Sequence, residues 1–195
     1  MSEALRIIVA DDEVDMRDFY QAILTGLGHT VAAVAETGRE LVDAVVAEKP
    51  DLIITDIRMP DLDGLDALRE ITRAGHPVPA IVVSGFHDDE FIQRAQQECV
   101  LAYLVKPVRA SDLEPAIKLA RQRFREMQAL QQQADDLRQA LDDRKQIERA
   151  KGILMDRSGL SESEAFKRLQ KLSNDRNQKL VEIARAIITA EEAFA

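Results

Sequence analysis

The sequence predicts an α/β chain in which a doubly wound parallel sheet of five strands is followed by a long helix and a small all-α segment. Three observations predict it. Five short apolar runs alternate with helical patterns in the first 110 residues, as βαβ units do. Several of those runs end on a charged residue. Beyond Ser111 no strand pattern recurs, and neither Gly nor Pro interrupts the chain between Pro115 and Gly152.

In order, Arg6 to Ala10 is the first strand, and Asp11, Asp12 and Glu13 follow it directly. A helix from Glu13 to Leu27 ends at Gly28, a C-capping residue. Thr30 to Ala35 is the second strand. Thr37 and Glu40 form a capping box that opens a helix to Glu48. Leu52, Ile53 and Ile54 are a continuous apolar run, which marks a central strand covered on both faces, and the strand closes on Asp56. Pro60 and Gly64 break the chain before a helix from Gly64 to Ala74. Val78 to Val83 is the fourth strand, ending at Ser84 and Gly85. A short helix spans Asp88 to Gln97. Val100 to Val105 is the fifth strand, ending at Lys106 and Pro107. Ser111 and Glu114 form a second capping box, which opens the long helix.

Composition narrows the function classes. The 195 residues leave room for one α/β domain and a smaller unit. A hydrophobic fraction of 46% supports a core, and the single cysteine, Cys99, excludes an internal disulfide and fits a reducing compartment. There is no signal peptide and no apolar run long enough for a bilayer, so a cytoplasmic protein without membrane contact is expected. The net charge of −9 is unevenly spread: residues 1–110 carry 10 Lys and Arg against 20 Asp and Glu, whereas residues 144–185 carry 11 against 6. The acidic total therefore does not exclude nucleic acid as a partner of the C-terminal part.

The strand ends carry the chemistry. Asp11 and Asp12 follow strand one, Asp56 closes strand three and Lys106 follows strand five. In a sheet of order 2-1-3-4-5, strands one and three are neighbours at the switch point, where open α/β sheets bind ligands. Three carboxylates converging there repel one another unless a cation shares them. Hard oxygen donors suit Mg²⁺. A divalent cation beside a lysine neutralises phosphoryl oxygens, which makes Asp56 a candidate nucleophile forming an acyl phosphate. Taken singly, each aspartate reads as a cap or a turn residue; their common placement at strand ends favours a site. Arg58 stands where aspartyl phosphatases of the haloacid dehalogenase type carry their second acid, so a non-enzymatic reading follows.

The pattern Asp11-Asp12, Asp56, Ser84, Tyr103 and Lys106-Pro107 resembles the receiver domain of bacterial two-component response regulators, over about residues 1–125. The resemblance implies a flavodoxin-like fold and a sensor histidine kinase as partner. It makes Asp56 the phosphoacceptor. Asp11, Asp12, Asp56 and the backbone carbonyl of Arg58 become the ligands of Mg²⁺ or Mn²⁺. It makes Lys106 the phosphate-pairing lysine, with a cis bond to Pro107, and Ser84 and Tyr103 the switch pair. On their own, Ser84 reads equally as a turn residue and Tyr103 as a fixed core aromatic.

The remainder is helical. In residues 115–143, Ile117, Ala120, Phe124 and Met127, then Leu130, Ala134, Leu137 and Leu141, fall at a/d spacing with a three-residue stammer. Both a semi-rigid spacer and a coiled coil with a second copy, formed on phosphorylation, fit that pattern. Arg144 to Met155 is a helix ended by Gly159. Ser161 and Glu164 form a third capping box, Ser173 to Asn177 is a turn, and Leu180 to Ile188 marks a final helix. The final helix carries Glu182, Glu191 and Glu192 beside Lys179 and Arg185, a poor set for reading a major groove.

Ala150-Lys151-Gly152-Ile-Leu154, Glu164-Ala165-Phe166-x-x-Leu169 and Leu180-x-x-Ile183-Ala184 resemble the ANTAR domain, a three-helix RNA-binding output module, over about residues 135–195. Leu172-Ser173 departs from that pattern, where a small alanine is expected. Together the two segments resemble actinobacterial phosphorylation-dependent transcription antitermination regulators. The resemblance implies structured RNA, stem-loops in nascent transcripts, as the target, with Arg144, Lys145, Arg149, Lys151 and Arg168 at phosphates or loop bases. A phosphorylation-switched DNA-binding or protein-interaction regulator is the competing expectation.

Overall fold

The computed structural model describes residues 4–85 and 100–194. The chain divides into two compact units, residues 1–128 and 129–195, each taken by itself below. The expected helix Asp88–Gln97, with His87 and Cys99, lies outside the described residues.

The first unit is built on a parallel sheet of order β2-β1-β3-β4-β5. Its strands are β1 (Arg6–Ala10), β2 (Thr30–Ala35), β3 (Leu52–Asp56), β4 (Ala80–Ser84) and β5 (Val100–Val105). Helices α1 (Val14–Gly26), α2 (Gly38–Glu48) and α3 (Gly64–Arg73) make the crossovers among the first four strands. A long helix, α4 (Ala110–Ser158), follows β5. All five residues of β3 and of β4 are buried, as the unbroken apolar runs required. One core layer, with Leu41, Val45, Leu65 and Leu68, fills the α2/α3 side. The other, with Tyr20, Leu24, Leu113 and Ile117, fills the α1/α4 side. This sandwich fixes the strand ends, and so the backbone that carries Asp11, Asp56 and Lys106.

Several boundaries differ from the sequence reading. β4 starts at Ala80, two residues late, because Pro77 and Pro79 lack the N–H a ladder needs; the Pro79 carbonyl still accepts from Ile53 N at 3.0 Å. Thr37 caps α2 by accepting from Glu40 N at 3.2 Å, but the Glu40 carboxylate turns to Glu36 N at 2.8 Å, so the box is not reciprocal. Ser111 and Glu114 do not open α4. The helix begins at Ala110, where the Asp112 carboxylate accepts from Arg109 N at 3.1 Å, and Glu114 pairs with Lys118 at 2.6 Å. Pro115 is the sixth residue of this helix, past the unpaired N–H groups of the first turn, so it forgoes one backbone bond to the Ser111 carbonyl.

α4 is one helix of 49 residues, so the connector and the first helix of the C-terminal unit are continuous. It ends before Gly159, whose φ of +63° suits glycine. In the second unit, α5 (Glu162–Arg176) and α6 (Leu180–Phe194) pack on the end of α4 through Ala150, Leu169, Ile183, Ala184 and Ile188. The Ser161/Glu164 box is complete in both directions. The turn expected at Ser173–Asn177 is instead the last turn of α5, closed by Asn177 in the left-handed region at φ 52°. No helix among the described residues is long and apolar enough to cross a membrane.

Candidate functional site: an acidic cluster at the strand ends

The parallel register places β1 beside β3 and β3 beside β4, so their carboxyl ends open at one edge of the sheet. Asp11, Asp12, Glu13 and Asp56 gather there, each offering a carboxylate oxygen within 4.8 Å of the others. Lys106, arriving from the end of β5, joins them. Its ammonium donates to Asp56 Oδ2 at 2.7 Å and Asp11 Oδ2 at 3.0 Å, with Glu13 Oε1 at 3.4 Å. The Lys106–Pro107 bond is cis.

Each group is held by backbone as well as by charge. Asp56 Oδ1 accepts from Ile57 N at 2.6 Å and Arg58 N at 3.4 Å, which fixes the carboxylate plane. Asp11 Oδ1 accepts from Glu13 N at 3.0 Å. Burial pushes the Asp11 carboxyl above its ordinary range, against the pull of the Glu13 N–H and the Lys106 ammonium. Burial also penalises the Lys106 ammonium, but its bonds to Asp56 and Asp11 outweigh that and raise it. Gly64 lets the chain pass close: a Cβ there would collide with the Asp56 carbonyl oxygen.

Ser84 closes β4, is 3% exposed, and its carbonyl accepts from Lys106 N at 2.9 Å. Tyr103 is half-buried on β5 and packs against the α2/α3 layer. Arg58 is exposed one residue beyond the buried Ile57.

Three members of this region were not legible as such. Arg17 of α1 is buried. Its guanidinium donates to the carbonyls of Asp11 at 2.8 Å and Asp12 at 3.1 Å, and pairs with Glu36 at 2.5 Å. It thus holds the turn that presents the two aspartates. Glu13 adds a fourth carboxylate, for which its adjacency to Asp11-Asp12 was the available signal. Tyr20 is 1% exposed, its hydroxyl has no hydrogen-bond partner among the described residues, and burial, then the Asp11 charge, raises its pKa.

In the second unit, Lys151 is 7% exposed and bonds Glu148 at 2.9 Å and Glu162 at 2.7 Å, with its ammonium 5.9 Å from the Phe166 ring centre. Arg149 pairs with Glu192 at 2.9 Å. Arg157 bonds Glu191, and Arg185 bonds Asp143. These cations tie helices together. Arg144, Lys145 and Arg168 are exposed.

The fold and the cluster together define a receiver-type protein, and comparison with known proteins agrees. The family model for the response regulator receiver domain matches residues 7–118, and the ANTAR domain model matches residues 135–188. The transcriptional regulatory protein PdtaR of Mycobacterium tuberculosis is 38% identical over 183 residues, 94% of this chain and 89% of that protein. The chemotaxis protein CheY of Thermotoga maritima is 32% identical over 57% of this chain and 93% of its own. Among solved structures, the signal receiver domain of a modulated diguanylate cyclase from Desulfovibrio desulfuricans superposes with a TM-score of 0.58 at 28% identity, over 62% of this chain and 96% of that one. The chain belongs to the response regulators that join a receiver domain to an ANTAR domain.

The donor set fits the cation that receiver domains bind. The clustered side chains of Asp11, Asp12, Glu13 and Asp56 all offer hard carboxylate oxygens, and Mg²⁺ or Mn²⁺ takes oxygen donors in preference to nitrogen or sulfur.

Proposed function

We propose that this chain is a cytoplasmic phosphorylation-switched regulator in which a sensor histidine kinase phosphorylates Asp56 and the C-terminal unit binds stem-loops in nascent RNA to prevent transcription termination. The observation that carries the first half is the Lys106 bridge between Asp56 and Asp11, made by residues 50 and 95 positions apart. The ANTAR match and the regulatory relative support the second half.

In this reading Mg²⁺ or Mn²⁺, held by Asp11, Asp12, Asp56 and the Arg58 carbonyl, supplies positive charge that neutralises carboxylates and phosphoryl oxygens together. The chain's residues do the rest. The Asp56 carboxylate, its plane set by Ile57 N, attacks the phosphorus of the phosphohistidine, and the imidazole leaves. Lys106 exchanges its bond to Asp56 for one to a phosphoryl oxygen. It also releases Asp11, whose Oδ2 it occupies in the resting state. The Ser84 hydroxyl moves to the phosphoryl group, and Tyr103 turns inward behind it.

Phosphodonor labelling tests this. The wild-type chain takes up one phosphoryl group only with Mg²⁺ or Mn²⁺ present. Asp56→Asn takes up none, because an amide is not a nucleophile. Undiminished labelling of Asp56→Asn removes the assignment.

A further inference from the structure

Within the second unit the cations fall into two sets. Arg149, Lys151, Arg157 and Arg185 are bonded to acids on neighbouring helices or on their own. Lys167 and Lys171 of α5 make no ion pair among the described residues, and neither do Arg144, Lys145, Arg168, Arg176 and Lys179; the Glu164 carboxylate near Lys167 is taken by the Ser161 cap. α5 buries Ala165 and Leu169 against the other two helices. At 3.6 residues per turn its opposite face carries Ser163, Lys167, Gln170, Lys171 and Asn174, all exposed, with the cap-bound Glu164 and Asp175 along one edge. Phe166 stands at the edge of that face, 37% exposed, with the Lys151 ammonium beside it. α6 offers no such set: Glu182 lies on its outer face, and Glu191 and Glu192 bond the α4 cations Arg157 and Arg149.

We infer that the outer face of α5 is the RNA-contacting surface of this unit, with Lys167 and Lys171 on phosphates, Gln170 and Asn174 on loop-base edges and Phe166 stacking a base. The inference rests on the RNA reading above and names its surface. The chemistry matches the ligand at each level. Two unpaired ammonium groups one helical turn apart follow a phosphate backbone without first giving up a protein partner. Side-chain amides donate and accept toward base edges. An exposed ring offers a stacking platform for an unpaired loop base. Of the α4 cations, Arg149, Lys151 and Arg157 would have to break bonds to Glu192, to Glu148 and Glu162, or to Glu191 to reach RNA, whereas Arg144 and Lys145 carry no such bond among the described residues.

The test uses the full-length chain phosphorylated on Asp56 and a pool of RNAs carrying two tandem stem-loops with randomised loop sequences. The tightest RNA retained by the wild-type chain becomes the probe. The double variant Lys167→Gln, Lys171→Gln keeps good helix formers at exposed positions, so its thermal unfolding stays in place. It binds the probe at least tenfold more weakly. The slope of log affinity against log salt falls by roughly 1.4–1.8, two contacts at roughly 0.7–0.9 each. The variant Gln170→Ala, Asn174→Ala loses roughly tenfold of the preference for the selected loop over a scrambled one. Arg185→Gln, which removes a paired cation, shifts affinity less than twofold. Unchanged affinity and salt slope in the lysine variant, with the wild type still binding, overturns the surface and leaves the RNA reading standing. A pool from which the wild type retains no RNA overturns both. Equal competition by duplex DNA of the same length overturns the choice of RNA for this face.

Discussion

Arg17→Met is the sharpest probe of how the acidic cluster is held. The guanidinium satisfies the carbonyl of the buried Asp11 and that of the more exposed Asp12, and its other edge meets Glu36. Methionine fills much of the stem's volume but leaves both carbonyls without that donor. A buried acceptor stripped of its partner costs about 1–3 kcal/mol; the Asp12 carbonyl, nearer solvent, falls at the low end. Glu36 is 63% exposed and rehydrates, so the lost ion pair adds little. The sum is about 2–4 kcal/mol, against about 1 kcal/mol or less for Glu36→Gln. Urea unfolding of the first unit reads this directly. Because the same turn presents Asp11 and Asp12, Mg²⁺ titration of the folded variant shows weakened binding as well. A variant within about 0.5 kcal/mol of wild type, with unchanged Mg²⁺ affinity, refutes the clamp.

Two further outcomes follow from the same geometry. Asp12→Ala weakens Mg²⁺ binding and slows phosphoryl uptake without unfolding the chain, since it also relieves carboxylate repulsion; normal Mg²⁺ affinity moves the cation elsewhere. His29 is buried and its Nδ1 accepts from Leu5 N at 3.2 Å, a bond the imidazolium cannot make. Burial, then Arg121, lowers its pKa, so between the folded value and 6.5 the unfolded chain binds more protons. Its contribution is present above pH 6.5 and is lost as pH falls through that window, with a slope of at most about 1.4 kcal/mol per pH unit. His29→Gln flattens that part of the stability profile, and an unchanged profile contradicts the assignment.

The sheet was legible because its signal is local. Leu52-Ile53-Ile54 announces a buried strand without reference to anything distant, and Asp56 at its end inherits a position from the topology. The order 2-1-3-4-5 then brings Asp11 and Lys106 to it. What escaped was set by where side chains reach. Ser111 and Glu114 match a capping box, but Asp112 reaches the Arg109 N–H first and starts the helix earlier. Arg17 looks like any helix cation; only the turn curling over α1 turns it inward. Lys151 sits in a basic stretch and reads as a phosphate contact. The return of α5 brings Glu162 against it, and a free charge becomes an interhelix strut. A charge count over residues 144–185 cannot separate struts from free cations, because both carry the same sign.

The coupling of the two units is the central claim, and one measurement reaches it most directly. RNA is titrated into full-length chain phosphorylated on Asp56 and into unphosphorylated chain, each at two protein concentrations. Tighter binding by the phosphorylated chain is the expected result of the proposed function, in which phosphorylation either relieves an opposition of the acidic resting receiver to RNA or pairs two copies through α4. An advantage present at both concentrations marks the first route, and one that grows with concentration marks the second. Equal affinity in all four conditions contradicts the claim that the Asp56 site governs RNA binding.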